Sequence, residues 1–141
     1  MKSLARACAD QMWAEDRASQ ALGMVLEDVA PGTARMAMLV ADHMTNGHGM
    51  CHGGFIFTLA DSAFAFACNS HNERAVAAQA AISFLAPAQR GEKLLAVAEE
   101  RQRAGRSGIY DVRVTGGDGR IIAEFRGHSR TLGQKFFEDL P

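Results

Sequence analysis

The stretch FIFTLADSAFAFACNS, residues 55–70, decides how this chain folds. It is apolar nearly all round and carries one charged residue, Asp61, so it predicts a long buried helix. A buried strand of this length is not expected, because strands usually run about 3–10 residues. Such a helix has to be covered on most of its sides, and the rest of the chain must supply that cover.

The segments after this helix have the composition of strands. In residues 110–114, Tyr and Val alternate with Asp and Arg, a pattern typical of a half-buried strand. Short Gly- and Pro-containing turns separate the segments and predict an antiparallel meander of consecutive strands. The predicted strands are residues 75–85, 93–103, 108–115 and 121–130.

The part of the chain before the central helix predicts one helix and one hairpin. Apolar residues recur at helical spacing over 4–22, and residues 24–29 and 35–40 flank the turn signal Pro31-Gly32. The expected fold is therefore α+β, one domain over residues 1–141. We expect a long central helix wrapped by a curved antiparallel sheet, with a second helix at the N-terminus.

Composition excludes several classes of protein. The 141 residues are 48% hydrophobic and 22% charged, with a net charge of −1, which is typical of one globular domain and not of a nucleic-acid binder. Three cysteines without framework spacing indicate a reducing compartment. The apolar stretch 53–68 is too short to span a bilayer, and acids interrupt the first twenty residues. We expect a cytoplasmic protein with no membrane partner.

Positive charge is concentrated in the second half of the chain. Residues 90–135 hold ten Lys and Arg against six Asp and Glu, a net charge of +4. Solvated strand faces explain this pattern, and so does a patch for a phosphorylated ligand.

Asp61 has two interpretations. An ionised carboxylate in an apolar helix costs several kcal/mol unless it is paired or hydrated. Either Asp61 is bonded at an interface and only structural, or it faces a cleft as a general base or nucleophile.

The pair Gly53-Gly54 opens the predicted helix. The first N–H groups of a helix have no internal partners and carry the positive end of its dipole, so they suit an oxyanion. Glycine lets a ligand oxygen approach that backbone closely. Alternatively, the glycines only turn the chain into the helix.

The spacing of Gly53 and Asp61 predicts a shared site. The two residues are eight positions apart, which is about 12 Å along one helix axis. That distance is too long for both to act on one carbonyl, where each group should lie within about 3 Å of the reacting atoms. If both are catalytic, a second chain supplies one of them, and antiparallel helices across a two-fold axis would bring them together.

Other motifs do not support a different chemistry. His48 and His52 are four positions apart, but no second ligand cluster follows, so no metal is expected. The chain has neither a phosphate loop ending in Gly-Lys-Ser/Thr nor a Gly-x-Ser-x-Gly elbow.

The string NGHGMCHGGFIFTLADSAFAFA, residues 46–67, resembles the signature of the hotdog-fold acyl-CoA thioesterases, and in particular their phenylacetic acid degradation subfamily. The resemblance implies side-by-side homodimers, often paired into tetramers, with active sites at the dimer interface. It implies Asp61 as general base or nucleophile and the Gly53 N–H as the group that polarises the thioester carbonyl. Asn46 would hold the attacking water or the substrate, and His52 would shape the oxyanion side. No cofactor is implied, because coenzyme A is part of the substrate.

The resemblance also suggests what the substrate is. It implies phenylacetyl or ring-hydroxylated phenylacetyl groups, for which Met50, Phe57 and Phe64 could line a pocket beside Gly54. Six residues of the positive half are candidates for the phosphates of coenzyme A, and the sequence does not choose among them. They are Arg101, Arg103, Arg106, Arg126, His128 and Arg130.

One position departs from the family pattern. Relatives carry Ser or Thr where this chain has Ala77, which puts the hydrogen bond that supports the acid in doubt. Gln79, two residues on, is expected on the same strand face as Ala77 and could replace it.

Two other functions stay open at this point. A hotdog hydratase or dehydratase would need an Asp–His pair acting on an enoyl thioester, for which His48 or His52 is available. A non-catalytic acyl-CoA-binding module is the other alternative, although a binder gains nothing from a buried carboxylate.

Overall fold

The computed structural model describes residues 1–139 and places the predicted long helix at the centre of the fold. A short 3₁₀ turn at Asp42–Met44 lies in the loop before that helix. The helices and strands are α1 (Leu4–Glu15), α2 (Arg17–Ala21), β1 (Val25–Ala30), β2 (Thr33–Leu39), α3 (Gly53–Cys68), β3 (Ala75–Phe84), β4 (Lys93–Ala104), β5 (Ser107–Thr115) and β6 (Ile121–Thr131).

The six strands form one antiparallel sheet in the order β1-β2-β4-β5-β6-β3. Helix α3 contacts all six of them. A flat sheet of six strands is about 24 Å wide, whereas a helix is about 10 Å across, so the sheet has to curve around α3 to make these contacts. The predicted architecture of a central helix wrapped by an antiparallel sheet is confirmed.

The predicted meander is only partly correct. Strands β4, β5 and β6 follow one another as expected, but β3 pairs with β6 and not with β4. The connection 85–92 crosses the end of the sheet to reach β4, and it bonds there to the loop before α3, where the Cys51 N–H donates to the Ala88 carbonyl at 2.8 Å. Strand composition cannot distinguish this crossover from a hairpin.

The predicted helix over 4–22 is two helices. Helix α1 ends at Glu15, and Asp16 has the non-helical dihedrals φ −84° and ψ 80°. Its carboxylate accepts the Ser19 N–H at 3.0 Å and so caps α2, which is the usual role of Asp before a helix. No helix within residues 1–139 is long and apolar enough to cross a membrane.

Aromatic side chains fill the space between α3 and the inner face of the sheet. Phe64 is 1% exposed, and its ring centroid lies 5.7 Å from that of Tyr110 and 5.8 Å from that of Phe125. A Cβ at Gly127 would come within 2.7 Å of the Phe64 ring, so this glycine makes room for it. The half-buried Phe57 meets Phe125 edge-on at 5.4 Å. These contacts fix α3 rigidly in the sheet.

Candidate active site

The first turn of α3 has one free backbone donor. His52 caps the helix: its Nδ1 accepts the Gly54 N–H at 3.0 Å, and its carbonyl accepts the Phe55 N–H at 3.0 Å. The Gly53 N–H, between them, donates to no group within residues 1–139. Because this N–H is at the positive end of a 16-residue helix, it is available to an anionic or polarised oxygen.

Gly53 lines a cavity of about 410 Å³. The walls come from the loop before α3, from Gly53 and Ile56 of α3, and from residues 84–88, which are the end of β3 and the start of the crossover. Most of these groups are apolar, which is typical of a site for a small organic ligand with few polar contacts. The loop contributes Asn46, Met50 and Cys51.

The side chain of Asn46 is fixed by hydrogen bonds to the backbone of its own loop. Its Oδ1 accepts the N–H groups of His48 at 2.9 Å and of Met50 at 3.3 Å, which fixes the orientation of the carboxamide. The Nδ2 group has no acceptor within residues 1–139. Asn46 therefore offers the cavity a second N–H donor besides Gly53.

A side chain at Gly53 would meet the wall of the cavity. A Cβ there would lie 2.9 Å from Cζ of Phe84, whose side chain is 53% exposed. Glycine thus lets the Phe84 ring approach the start of the helix closely.

Asp61 lies two turns further along α3 and does not line this cavity. It is half-buried on a stripe of α3 that the sheet leaves uncovered, together with Thr58, Ser62 and Ala65. Burial raises the pKa of the Asp61 carboxyl, and the nearby Asp16 carboxylate raises it further. The structure therefore keeps Gly53 and Asp61 of one chain at separate places, as their spacing predicts.

Only one of the three side chains predicted to contact an acyl group lines the cavity. Met50 lines the cavity. Phe64 is buried in the core and Phe57 packs on Phe125, so neither lines the cavity of the single chain, and their contact with an acyl group stays a prediction. Apolar spacing alone cannot distinguish a core phenylalanine from one in a pocket. Gly54 has its N–H bonded to His52 and is not a free donor.

Gln79 does not share a strand face with Ala77. The β3–β6 register pairs Ala77 with the buried Ser129 but shifts at a bulge, so that Gln79 pairs with His128 on the outer side of the sheet. A bulge adds one residue and reverses the alternation of faces. The expectation that Gln79 shares a strand face with Ala77 is therefore wrong.

None of the six candidate cations lines the cavity. Arg101 and Arg126 both bind Asp111, at 2.9 and 2.7 Å, and hydrogen bonds from these two arginines lower the pKa of that carboxyl. Arg103 lies 4.0 Å from Glu100. Three of the six have no acidic partner within residues 1–139, namely Arg106, His128 and Arg130.

The sequence did not identify part of the cavity wall. Phe84 ends β3, and Leu85 and Ala88 belong to the crossover after it; the pairing of β3 with β6 places all three at the cavity. The apolar run Phe84-Leu85-Ala86-Pro87 in a connection was the available signal, since Phe84 and Leu85 are exposed. Within residues 1–139, no three His, Cys, Asp or Glu side chains are grouped to hold a metal ion.

Comparison with known proteins gives the family. Residues 48–123 match the model of the thioesterase superfamily. The chain is 40% identical over 125 residues to the acyl-coenzyme A thioesterase PaaI of Escherichia coli K12, covering 89% of each chain. A putative esterase of Archaeoglobus fulgidus is 33% identical, over 90% of this chain and 82% of that protein.

Solved structures show the same fold over nearly the whole chain. The E. coli PaaI protein from the phenylacetic acid degradation operon superposes with a TM-score of 0.92 at 39% identity, covering 94% of this chain and 96% of that one. A point mutant of the phenylacetic acid degradation protein PaaI from Thermus thermophilus gives 0.80 at 36% identity, covering 83% of this chain and 100% of that one. The predicted hotdog fold is confirmed, and the chain belongs to the thioesterase superfamily, as a thioesterase of the PaaI type.

Proposed function

We propose that this protein hydrolyses aryl-acyl-CoA thioesters, such as phenylacetyl-CoA or its ring-hydroxylated forms, to the free acid and coenzyme A. The observation that carries the proposal is the free N–H of Gly53, a residue that lines an apolar cavity together with Asn46. Two N–H donors converging on an apolar space suit a carbonyl oxygen attached to an apolar group. The names of the PaaI relatives support the coenzyme A ester and the aryl group.

The base is proposed to come from a second copy of the chain. Strand β3 has a neighbour on one side only within residues 1–139, and its exposed apolar residues Val76, Phe84 and Leu85 are suited to burial. The stripe of α3 around Asp61, which the sheet leaves uncovered, is a second surface that a partner could cover. Pairing two β3 edges across a two-fold axis would cover both and set the two α3 helices antiparallel.

In this homodimer, Gly53 of one subunit and Asp61 of the partner subunit form one site. The thioester carbonyl accepts from the Gly53 N–H and the Asn46 amide. The Asp61 carboxylate either takes a proton from the attacking water or attacks the carbonyl carbon itself. In both cases the C–S bond breaks, coenzyme A leaves as the thiolate and takes up a proton, and water supplies the oxygen of the acid. The reaction needs no metal and no further cofactor.

The phosphates of coenzyme A are proposed to lie near Arg106 and Arg130, the two arginines among the six candidate cations that have no acidic partner within residues 1–139. In one chain these residues are far from the cavity: Phe84 pairs with Ala123 and Val76 with Arg130, about 23 Å apart along β6. Antiparallel pairing of two β3 edges would bring the Val76 end of one subunit to the Phe84 end of the other. The partner subunit would then supply the cations.

The proposal also includes a cellular compartment and an oligomeric state. Cys8, Cys51 and Cys68 are all buried and unpaired, which fits the reducing cytoplasm. The family resemblance implies that two such dimers pair into a tetramer, which sedimentation of the purified protein would measure.

Thiol release from a panel of coenzyme A esters tests the function. We expect release from phenylacetyl- and hydroxyphenylacetyl-CoA to exceed release from straight-chain esters, because the cavity is apolar and receives Phe84 at its wall. An enoyl ester belongs in the panel, since loss of enoyl absorbance without thiol release would indicate a hydratase. Saturable binding of all esters without turnover would indicate a binding module and contradict the proposal.

A further inference from the structure

The N-terminal helices reach the middle of α3 through one chain of hydrogen bonds. The buried Ser19 of α2 lies 2.8 Å, oxygen to oxygen, from Ser62 of α3, and its hydroxyl donates to the Asp16 carboxylate at 2.7 Å. A serine hydroxyl has one proton, so Ser62 must donate to Ser19. This series of hydrogen bonds links Ser62, the residue next to Asp61 on α3, through Ser19 to the Asp16 carboxylate.

Asp16 is bonded as an ionised carboxylate. One of its oxygens accepts the Ser19 N–H and the other accepts the Ser19 hydroxyl, and an ionised carboxylate is an acceptor only. These two bonds hold a negative charge at the start of α2, and α2 packs on α3.

We propose that Asp16, fixed by the α2 cap and the Ser19–Ser62 contact, is a positioning residue that tunes Asp61 as a base; this inference rests on the proposed function. Asp16 lies outside residues 48–123, the part of the chain that matches the family model. A like charge beside Asp61 disfavours its ionised form, and a base that holds a proton more strongly also accepts one more readily in the reaction.

Apart from Asp16, no charged group packed around α3 shifts the pKa of Asp61 within the described residues. Besides Asp16, the titratable group coupled to Asp61 is the Cys68 thiol, whose pKa rises to about 12, chiefly through burial. The strands packed against α3 contribute Tyr110 and Glu100, which bond to each other at 2.7 Å near the C-terminal end of the helix. Asp16 is thus the acid that sets Asp61 apart from an isolated buried carboxyl.

The test is a pair of titrations on the full-length protein. In Asp16→Asn the side chain still caps α2, because Asn caps as well as Asp, but the charge is gone. We expect the Asp61 carboxyl, followed by ¹³C NMR of labelled aspartate and assigned with Asp61→Asn, to titrate at lower pH than in the wild type. The acid limb of kcat/KM is expected to move to lower pH with it. Asp16→Ser, which also caps, is the second variant.

Glu15→Gln is the matched control, since Glu15 is exposed, is next in the chain and is not coupled to Asp61. An NMR midpoint that is unchanged in Asp16→Asn, or that moves equally in Glu15→Gln, overturns the inference whatever the activity of Asp61→Asn. A midpoint that moves without any change in the rate profile upholds the coupling and contradicts the role of Asp61 as the base.

Discussion

Replacing Asp61 with asparagine is expected to leave the chain folded and to lower thiol release by roughly 10²–10⁴-fold, the usual contribution of a general base. Asparagine has nearly the same shape but neither takes a proton from water nor attacks a carbonyl. If Asp61 is the nucleophile, the loss is larger still. The measurement is kcat for phenylacetyl-CoA over a series of pH values, for the wild type and the variant side by side.

The same substitution is expected to stabilise the fold near neutral pH. Because burial and Asp16 raise the pKa of Asp61 above its ordinary value, the folded chain binds this proton more tightly than the unfolded chain. Its favourable contribution is present at low pH and is lost as the pH rises through the folded-state pKa. Urea unfolding of Asp61→Asn should therefore give a midpoint at least equal to that of the wild type at pH 7.

Asp28→Asn is the control for this experiment, because Asp28 is exposed on β1 and its substitution removes the same charge. We expect it to keep wild-type activity. Full activity in folded Asp61→Asn would show that Asp61 is structural and that another group activates the water.

Replacing Gly53 with proline removes the N–H that the account assigns to the carbonyl oxygen. We expect kcat to fall about 10²–10³-fold, as it does when one oxyanion donor is lost elsewhere. The backbone tolerates this change, since proline suits the first position of a helix and His52 before it already has φ −61° and ψ 135°. The measurement is kcat for the best ester of the panel, with helix content followed by circular dichroism.

Gly53→Ala separates the loss of the donor from the presence of a side chain. Both variants add a Cβ against Phe84, and the half-exposed ring has room to turn away. Alanine keeps the N–H, so we expect it to retain most of the activity. If alanine and proline reduce kcat equally, the steric contact with Phe84 explains the loss and the Gly53 N–H has no role.

The central part of the fold was predictable because one segment is unambiguous. Residues 55–70 are too long and too apolar for anything but a buried helix, and α3 covers Gly53–Cys68. The start of the helix was recognisable from the pair Gly53-Gly54. Because the rise per residue of a helix is fixed, the distance from Gly53 to Asp61 could also be predicted. The hairpin around Pro31-Gly32 followed from turn chemistry, as β1 and β2 show.

The predictions that proved wrong concern contacts between segments that are far apart in the sequence. The pairing of β3 with β6 is set by packing around α3, and it brings residues 84–88 to the cavity. The bulge that turns Gln79 outward is a register shift that composition does not encode. The break at Asp16 was the exception, since a capping acid before Ser19 was visible in the sequence and could have ended the helix prediction.

The most direct test of the shared active site is to combine two inactive variants. Asp61→Asn subunits carry an intact Gly53, and Gly53→Pro subunits carry an intact Asp61. When the two chains are unfolded and refolded together in equal amounts, the account predicts recovery of about a quarter of wild-type activity, because that share of sites receives both intact groups from different subunits. If mass spectrometry shows mixed oligomers but activity stays at the level of the separate variants, the site lies within one chain and the account is wrong.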